Sequence, residues 1–478
     1  MKHLLFLFFI LIALGIFTSI DIDGPVFLSF IGSAIIIFFI LFYHLYLEKA
    51  YSPFLSAYLV FNFLFFIVAP LTQISFIEQS IIPEFVTKFP YKKELVLQSN
   101  FLITLFNGVF ILAYIFFKKY LLKPSKVELP SSTTKVLPIT ILSILAISLL
   151  VLIISFGFVL YEIGKPSWQR SIHSVFTILI WKKVLFLLPF SGIVLCVQYL
   201  RKKAKKPINW ITIIAALLCF FILLLWFKNP LIEKRNALGP IYICLIILFF
   251  PKLLKSNVKM LGFLFMIMIV AFPLSAVFTH TSATFVELLK DPSILITETN
   301  KGGGFISAFN TLNYDAFANI VATIEYVQVH GMSMGYQWLS AFLFFVPRGV
   351  WATKPISTGE LVGNYLIDQY QFNFNNLSNP MVSEGYINLG VLGVVIMAVF
   401  LAIITVKFMK WLQSPNYLKS ILAYYLAIHF IFLLRGDFTN GFSYFIGTLI
   451  GVMILPKLIE YLWIQLFRKQ KQWIVSKK

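Results

Sequence analysis

Runs of about twenty mostly apolar residues recur along nearly the whole chain, and no other feature constrains its fold so tightly. Each is long enough to cross the roughly 30 Å hydrocarbon core of a bilayer as a helix. Composition agrees: of 478 residues, 59% are hydrophobic and only 12% charged, 53 are phenylalanine, and the mean hydropathy is +0.89. That balance excludes a water-soluble domain, and the sequence predicts an all-α polytopic membrane protein.

The apolar spans fall at residues 3–20, 25–47, 53–77, 96–117, 136–158, 184–200, 209–227, 239–251, 260–279, 388–406, 418–434 and 441–463, about twelve transmembrane helices in all. The eighth is short. The first follows a single lysine and ends without a small-residue cleavage pattern, so it is expected to be retained as a span. Cys196, Cys219 and Cys244 all lie within apolar runs and read as small buried hydrophobes.

The net charge of +20 is informative through its distribution. With a cytoplasmic N-terminus, alternate connections carry Lys118, Lys119, Lys123, Lys126 and Lys135, then Arg201 to Lys206, then Lys252, Lys255 and Lys259, then Lys407, Lys410 and Lys419. The tail adds Arg468, Lys469, Lys471, Lys477 and Lys478. This is the positive-inside bias of a membrane protein, and it requires no nucleic-acid partner.

The same orientation puts a long connection, residues 280–387, outside, between N-terminal spans (1–279) and C-terminal spans with a basic cytoplasmic tail (388–478), the three forming one integrated domain. Its aromatic and apolar content predicts a folded extracytoplasmic helical loop. After "GGG" at 302–304, Phe305, Phe309, Leu312, Phe317, Ile320, Val321 and Ile324 form one helical stripe ending near Gly331, which predicts an amphipathic surface helix. "YQWLSAFLFFVP" then predicts a re-entrant or interfacial helix that delivers Arg348 to the membrane surface.

Outer connections should be poor in basic residues, so the exceptions matter: Lys165, Arg170, Lys182, Lys183, Lys228, Lys234, Arg235, Arg348, Lys354 and Arg435. All abut span ends. Cations gathered at one bilayer boundary suit an anionic, phosphate-headed lipid, because guanidinium binds phosphate oxygens in bidentate fashion. The competing reading makes the lysines headgroup-snorkelling residues and the arginines ion-pair partners of Glu162, Glu233, Glu360 or Asp437 nearby in sequence. For hydroxyl chemistry the carboxylate of choice is Glu384, just ahead of a span, where partial burial would make it a usable base. Asp315 and Asp437 are weaker candidates. Asp21 and Asp23 read as a helix-end turn, and the histidines, His280 and His330 among them, show no ligand spacing, so no metal is expected.

"FVPRGVWATKPISTGELVG" followed by "NPMVSEGYINLGVLGVV" resembles the signature region of the Wzy-type oligosaccharide repeat-unit polymerases of bacterial O-antigen and capsule assembly; "KNPLIEKRN" and "RGDF" fit the same family. The specific part covers about a quarter of the chain. The resemblance implies a fold similar to the GT-C glycosyltransferases, and a glycan on polyprenyl pyrophosphate passed as a block onto the non-reducing end of a new lipid-linked repeat unit, at the outer face of the bacterial inner membrane. It makes Arg235, Arg348 and Arg435 binders of the pyrophosphate with Lys354 assisting, and has Glu384 orient or deprotonate the acceptor hydroxyl. Arg170 joins this set on charge and topology alone. No cofactor is implied, since fixed cations can meet the charge on the leaving pyrophosphate. A chain-length regulator and a flippase are the expected partners beside the lipid-linked oligosaccharides themselves.

An O-antigen ligase shares the architecture and would use the same residues. A lipid-linked oligosaccharide flippase also has about twelve spans, but needs charges inside them, whereas here most lie at span ends. A membrane scaffold has no use for exofacial arginines.

Overall fold

Wherever the computed structural model describes them, the twelve apolar runs fall on helices; it describes residues 1–78, 89–121, 136–164, 171–201, 209–230, 233, 235–272, 291, 293 and 308–476. The described residues contain no strand. Among the described residues ten helices are long and apolar enough to cross a membrane: α1 (Lys2–Ser19), α2 (Gly24–Leu47), α3 (Pro53–Ser75), α4 (Lys93–Leu121), α5 (Val136–Gly164), α6 (Val175–Arg201), α7 (Trp210–Phe227), then Met381–Leu412, Tyr417–Arg435 and Phe438–Arg468. The chain is a multi-pass membrane protein.

Two apolar helices between these groups are shorter, α8 (Arg235–Phe249) and α9 (Asn257–Val270). Pro240 lies inside α8 and Pro251 follows it, so the backbone hydrogen bonds that would lengthen this helix are interrupted. The rest of the ninth predicted span, from residue 273, lies outside the described residues.

The chain forms two compact units. The first comprises Met1–Leu122, Lys252–Lys407 and Phe430–Gly441. Its centre is α3, in which every residue from Pro53 to Phe63 is buried. Such a helix must satisfy its polar side chains internally: Ser56 bonds His44 at 2.8 Å, and the Tyr58 hydroxyl donates to Asn107. Helix α2 packs on α4 and α3 on α9, while α1 turns Leu4, Leu7, Leu11 and Leu14 outward, as a lipid-facing helix should. The second unit comprises Lys123–Pro251, Phe408–His429 and Phe442–Lys478. Within it α5, α6 and α7 pack on one another around Phe158, Phe186 and Phe227.

The long connection supplies three further helices of the first unit, α10 (Ala316–His330), α11 (Tyr336–Phe342) and α12 (Thr358–Tyr370). Helix α10, expected on the surface, is buried along Ala316–Ile324, with Phe317, Ile320, Val321 and Ile324 fully enclosed. Its polar side is covered as well. Asn319 donates to the Ser378 carbonyl, Thr323 bonds Asn379, and Glu325 takes Lys92 and Tyr370, so from Ala316 to Glu325 no face remains for solvent, and only the last turn, Gln328 to His330, is exposed. Hydropathy alone cannot reveal such a cover, because the covering groups come from distant segments. The "GGG" stretch and Phe305 lie outside the described residues.

Helix α13 (Met381–Leu412) is broken at Leu389 and Gly390. Gly390 takes φ +58°, a left-handed conformation that a side chain would strain. At this break Gly385 and Gly393 lie face to face, where a Cβ on Gly393 would meet the Gly385 carbonyl oxygen at 2.0 Å. The first half of α13 is secured by the loop before α11: the Ser333 amide donates to the Ile387 carbonyl at 2.8 Å, and its hydroxyl donates to Asn388. The helices α14 (Tyr417–Arg435) and α15 (Phe438–Arg468) complete the chain order.

Candidate functional site

Three stretches far apart in sequence meet at two buried carboxylates in the first unit. Glu384, on the first half of α13, is 2% exposed, and Asp437, in the turn between α14 and α15, is 4% exposed. Thr358, which opens α12, joins them. Its hydroxyl contacts Glu384 Oε1 and lies 3.1 Å from Asp437 Oδ2. Two backbone amides complete the cluster: Phe438 N–H donates to Glu384 Oε1 at 2.8 Å and Gly359 N–H donates to Asp437 Oδ2 at 3.1 Å.

The local sequence explains why these groups can meet. Ser357 caps α12 by accepting from the Glu360 amide, which starts the helix at Thr358. Gly359 and Gly363 lie one turn apart and let residues 375–379 run directly over the helix, since a Cβ on Gly359 would meet the Leu377 carbonyl oxygen at 2.1 Å. Asp437 accepts from the Asn440 amide and so begins α15.

Immediately before Thr358 lies the hairpin that carries Arg348 and Lys354. Arg348 is exposed, and one edge of its guanidinium is anchored on the backbone, donating to the Lys354 carbonyl and, at 3.3 Å, to that of Pro355. Lys354 spends its ammonium differently. Nζ donates to the carbonyls of Leu343, Phe344 and Val346 at 2.8–3.1 Å, which uses all three of its protons. Burial, with the nearby Arg348 guanidinium, holds this ammonium below the ordinary lysine range. Lys354 therefore positions the hairpin, closing the turn that displays Arg348. Ring contacts do the rest: Trp351 Nε1 donates to the Tyr336 hydroxyl, and Phe342 of α11 packs edge-on against Phe438.

Arg435 lies beside the carboxylate cluster in sequence but is turned to another partner. Nε and Nη2 bond Asp315 at 3.3 and 2.9 Å, and Nη2 also donates to the Leu312 carbonyl. The expected neighbour, Asp437, is occupied instead by Thr358 and Gly359. Arg348 likewise takes carbonyls where Glu360 was expected. Glu162 and Glu233, expected beside arginines, both bond Lys182, at 3.0 and 2.9 Å.

Arg170, Lys165 and Lys234 lie outside the described residues, as does the side chain of Arg235, whose backbone starts α8. Lys182 and Lys183 were expected ahead of a span beginning at 184; the helix instead starts at Val175 and carries both within it. Asp23 takes Lys93 at 2.9 Å. Thr358 escaped the sequence reading. Its signal was present in "ISTGEL", where serine precedes a Thr-Gly pair at a helix start, but nothing local shows that two carboxylates converge there.

The first unit thus contains both an exposed, backbone-anchored guanidinium and a desolvated carboxylate pair. The guanidinium can accept an anion on its remaining N–H edge. In comparison with known proteins, the chain matches no family model, no curated protein and no solved structure.

Proposed function

We propose that the chain is a glycosyltransferase of the bacterial inner membrane. It passes a glycan from polyprenyl pyrophosphate onto the non-reducing end of a new lipid-linked repeat unit, with its site facing the periplasm or exterior and a GT-C-like arrangement of about twelve spans. One observation carries this reading. Three of the segments that carry the resemblance to Wzy-type polymerases, "STGEL", "SEGYINLG" and "RGDF", meet at a single carboxylate–hydroxyl cluster, and "PRGVWATKP" precedes the first of them in the chain.

In this reading Arg348 meets the charge that develops on the pyrophosphate as the sugar C–O bond breaks. The acceptor hydroxyl attacks the anomeric carbon and its proton passes to a carboxylate. Glu384 serves as that base or orients the hydroxyl, exchanging its bond to Thr358 for one to substrate. Lys354 and Arg435 hold the framework, and Arg235 and Arg170 supply further cations.

A second reading, a lipid-linked oligosaccharide flippase, draws support from Lys182 and Lys183, which lie inside a spanning helix as a transport path would require. Purified protein in proteoliposomes with lipid-linked repeat units separates the possibilities. A ladder of products that disappears in Arg348→Ala is expected. Single repeat units moved across the bilayer without elongation would replace the polymerase with the flippase, and transfer to a second acceptor would make the chain a ligase.

A further inference from the structure

The two units place their lysines differently. In the lysine group of the second unit, Lys182 and Lys183 sit on a π-helical stretch of α6, Leu179–Val184, inside a spanning helix. The first unit gathers three at a helix start: Lys252 and Lys255 on the turn that leads into α9, and Lys259 in its first turn, all of them exposed. Exposed lysines at the end of an apolar helix ordinarily reach for headgroups and nothing more. These stand at the mouth of a groove.

The groove runs between α1 and α9 and has a volume of about 730 Å³, within the range of ligand pockets. Leu4 and Phe8 form one wall, Val258, Gly262 and Phe263 the other, and among the described lining residues Lys259 alone carries charge. Gly262 makes the space, since a Cβ there would meet no atom within 4 Å. Three residues further along, Phe265 packs on Phe8 and Phe9 at ring-centroid distances of 5.7 and 4.7 Å, which draws the two helices together. At the other end Asn257 accepts from the Ser52 amide at 2.8 Å and donates to the Ala50 carbonyl at 3.1 Å, so the start of α9 is tied to the connection between α2 and α3. The recess is therefore built into the fold.

Its polar and apolar parts follow one another as they do in a phospholipid. Lys259 is at the rim, and Gly262 lies about 4.5 Å further along the axis at the α-helical rise. The rim has a single sign: residues 1–19 and 251–271 contain Lys2, Lys252, Lys255 and Lys259 and no aspartate or glutamate. A zwitterionic headgroup would bring a further cation to these lysines, whereas an anionic one brings none.

We infer that the groove between α1 and α9 binds an anionic phospholipid, with an acyl chain along Gly262 and the phosphate at Lys259, beside Lys252 and Lys255. By the positive-inside rule this end of both helices belongs to the cytoplasmic leaflet, whose surface is negative. The site does not involve Arg348 or Glu384 and stands whether or not the chain transfers glycans.

Native mass spectrometry of the full chain in detergent, titrated with dioleoyl phosphatidylglycerol or dioleoyl phosphatidylcholine, tests this. The first phosphatidylglycerol should be held about fivefold more tightly than the first phosphatidylcholine, roughly what one lysine contributes at an anionic surface. Lys255→Gln combined with Lys259→Gln should abolish that preference. Gly262→Leu, whose side chain enters open space, should weaken phosphatidylglycerol severalfold at an unchanged denaturation temperature. A phosphatidylglycerol with a photoreactive acyl chain needs no substitution and should label residues 1–8 or 258–265. Equal retention of the two lipids by the unaltered protein, a preference that survives loss of both lysines, or labelling confined to other helices would overturn the inference. So would a dimer that Gly262→Leu dissociates, because the groove would then hold a second copy of the chain. The ladder assay reads Arg348, and its result is independent of every outcome here.

Discussion

The hairpin around Arg348 and the lysine group around Lys182 solve the same problem, holding a cation in a lipid-dwelling protein, by opposite means. In the hairpin the charge stays at the surface and is steadied by backbone carbonyls, which orient it without cancelling it. In the lysine group Lys182 and Lys183 are inside a spanning helix, and Lys182 is met by the carboxylates of Glu162 and Glu233. A carbonyl-anchored guanidinium remains available to a partner, whereas removing one member of a buried pair strands the other. The first arrangement leaves a cation open to a partner at little cost to the fold. The second commits its charges to stability.

This contrast can be broken by substitution. The largest effect is expected at the hairpin: under the proposed function, Arg348→Ala should lower the rate of glycan transfer about a hundredfold or more while the denaturation temperature in detergent stays unchanged. Loss of thermal stability in that variant would mean that Arg348 is structural and would erase the difference between the two regions. Next, Lys182→Ala should destabilise the second unit by about 3 kcal/mol, because Glu162 and Glu233 lose their shared partner. Adding Glu233→Gln should recover part of this, so a double-mutant cycle with no coupling would refute the pairing.

Smaller effects sharpen the comparison through glycine. Gly447 backs directly on Lys183, where a Cβ would lie 2.7 Å from that residue's Cβ and carbonyl oxygen, so Gly447→Ala should cost about 1–3 kcal/mol in thermal denaturation. Gly349, next to Arg348, has open space around it, and Gly349→Ala should change stability by less than about 0.5 kcal/mol. Equal costs at the two glycines would show that the hairpin is packed as tightly as the buried helix.

Hydropathy carried the helical architecture, since each apolar run needs only its own residues to declare a span. Glu384 was also visible, as a carboxylate beside a helix start. Its surroundings were not, because Thr358 and Asp437 lie 26 and 79 residues from their partners in this cluster, and no local pattern reports contacts at that range. Arg435 failed for the same reason, finding Asp315 across 120 residues when Asp437 stood two positions away. Lys182 and Lys183 were misplaced by a different error. Charged residues interrupt a hydropathy window, so the reading began the span after them, while the structure neutralises Lys182 with Glu162 and Glu233 and lets the helix continue.

The π-helical stretch at 179–184 has one more consequence. A turn of this kind holds an extra residue relative to an α-helix, and each residue of an α-helix advances the direction of its side chain by about 100°. Loss of a single codon within this stretch would let the coil tighten to an α-helix, and because the looser coil turns less per residue the flanking turns would keep nearly their directions while the side chains inside the stretch changed theirs. The orientation of the two adjacent lysines is thus set by chain length as much as by residue identity, and a relative lacking that residue would aim the same side chains elsewhere with its charges unaltered.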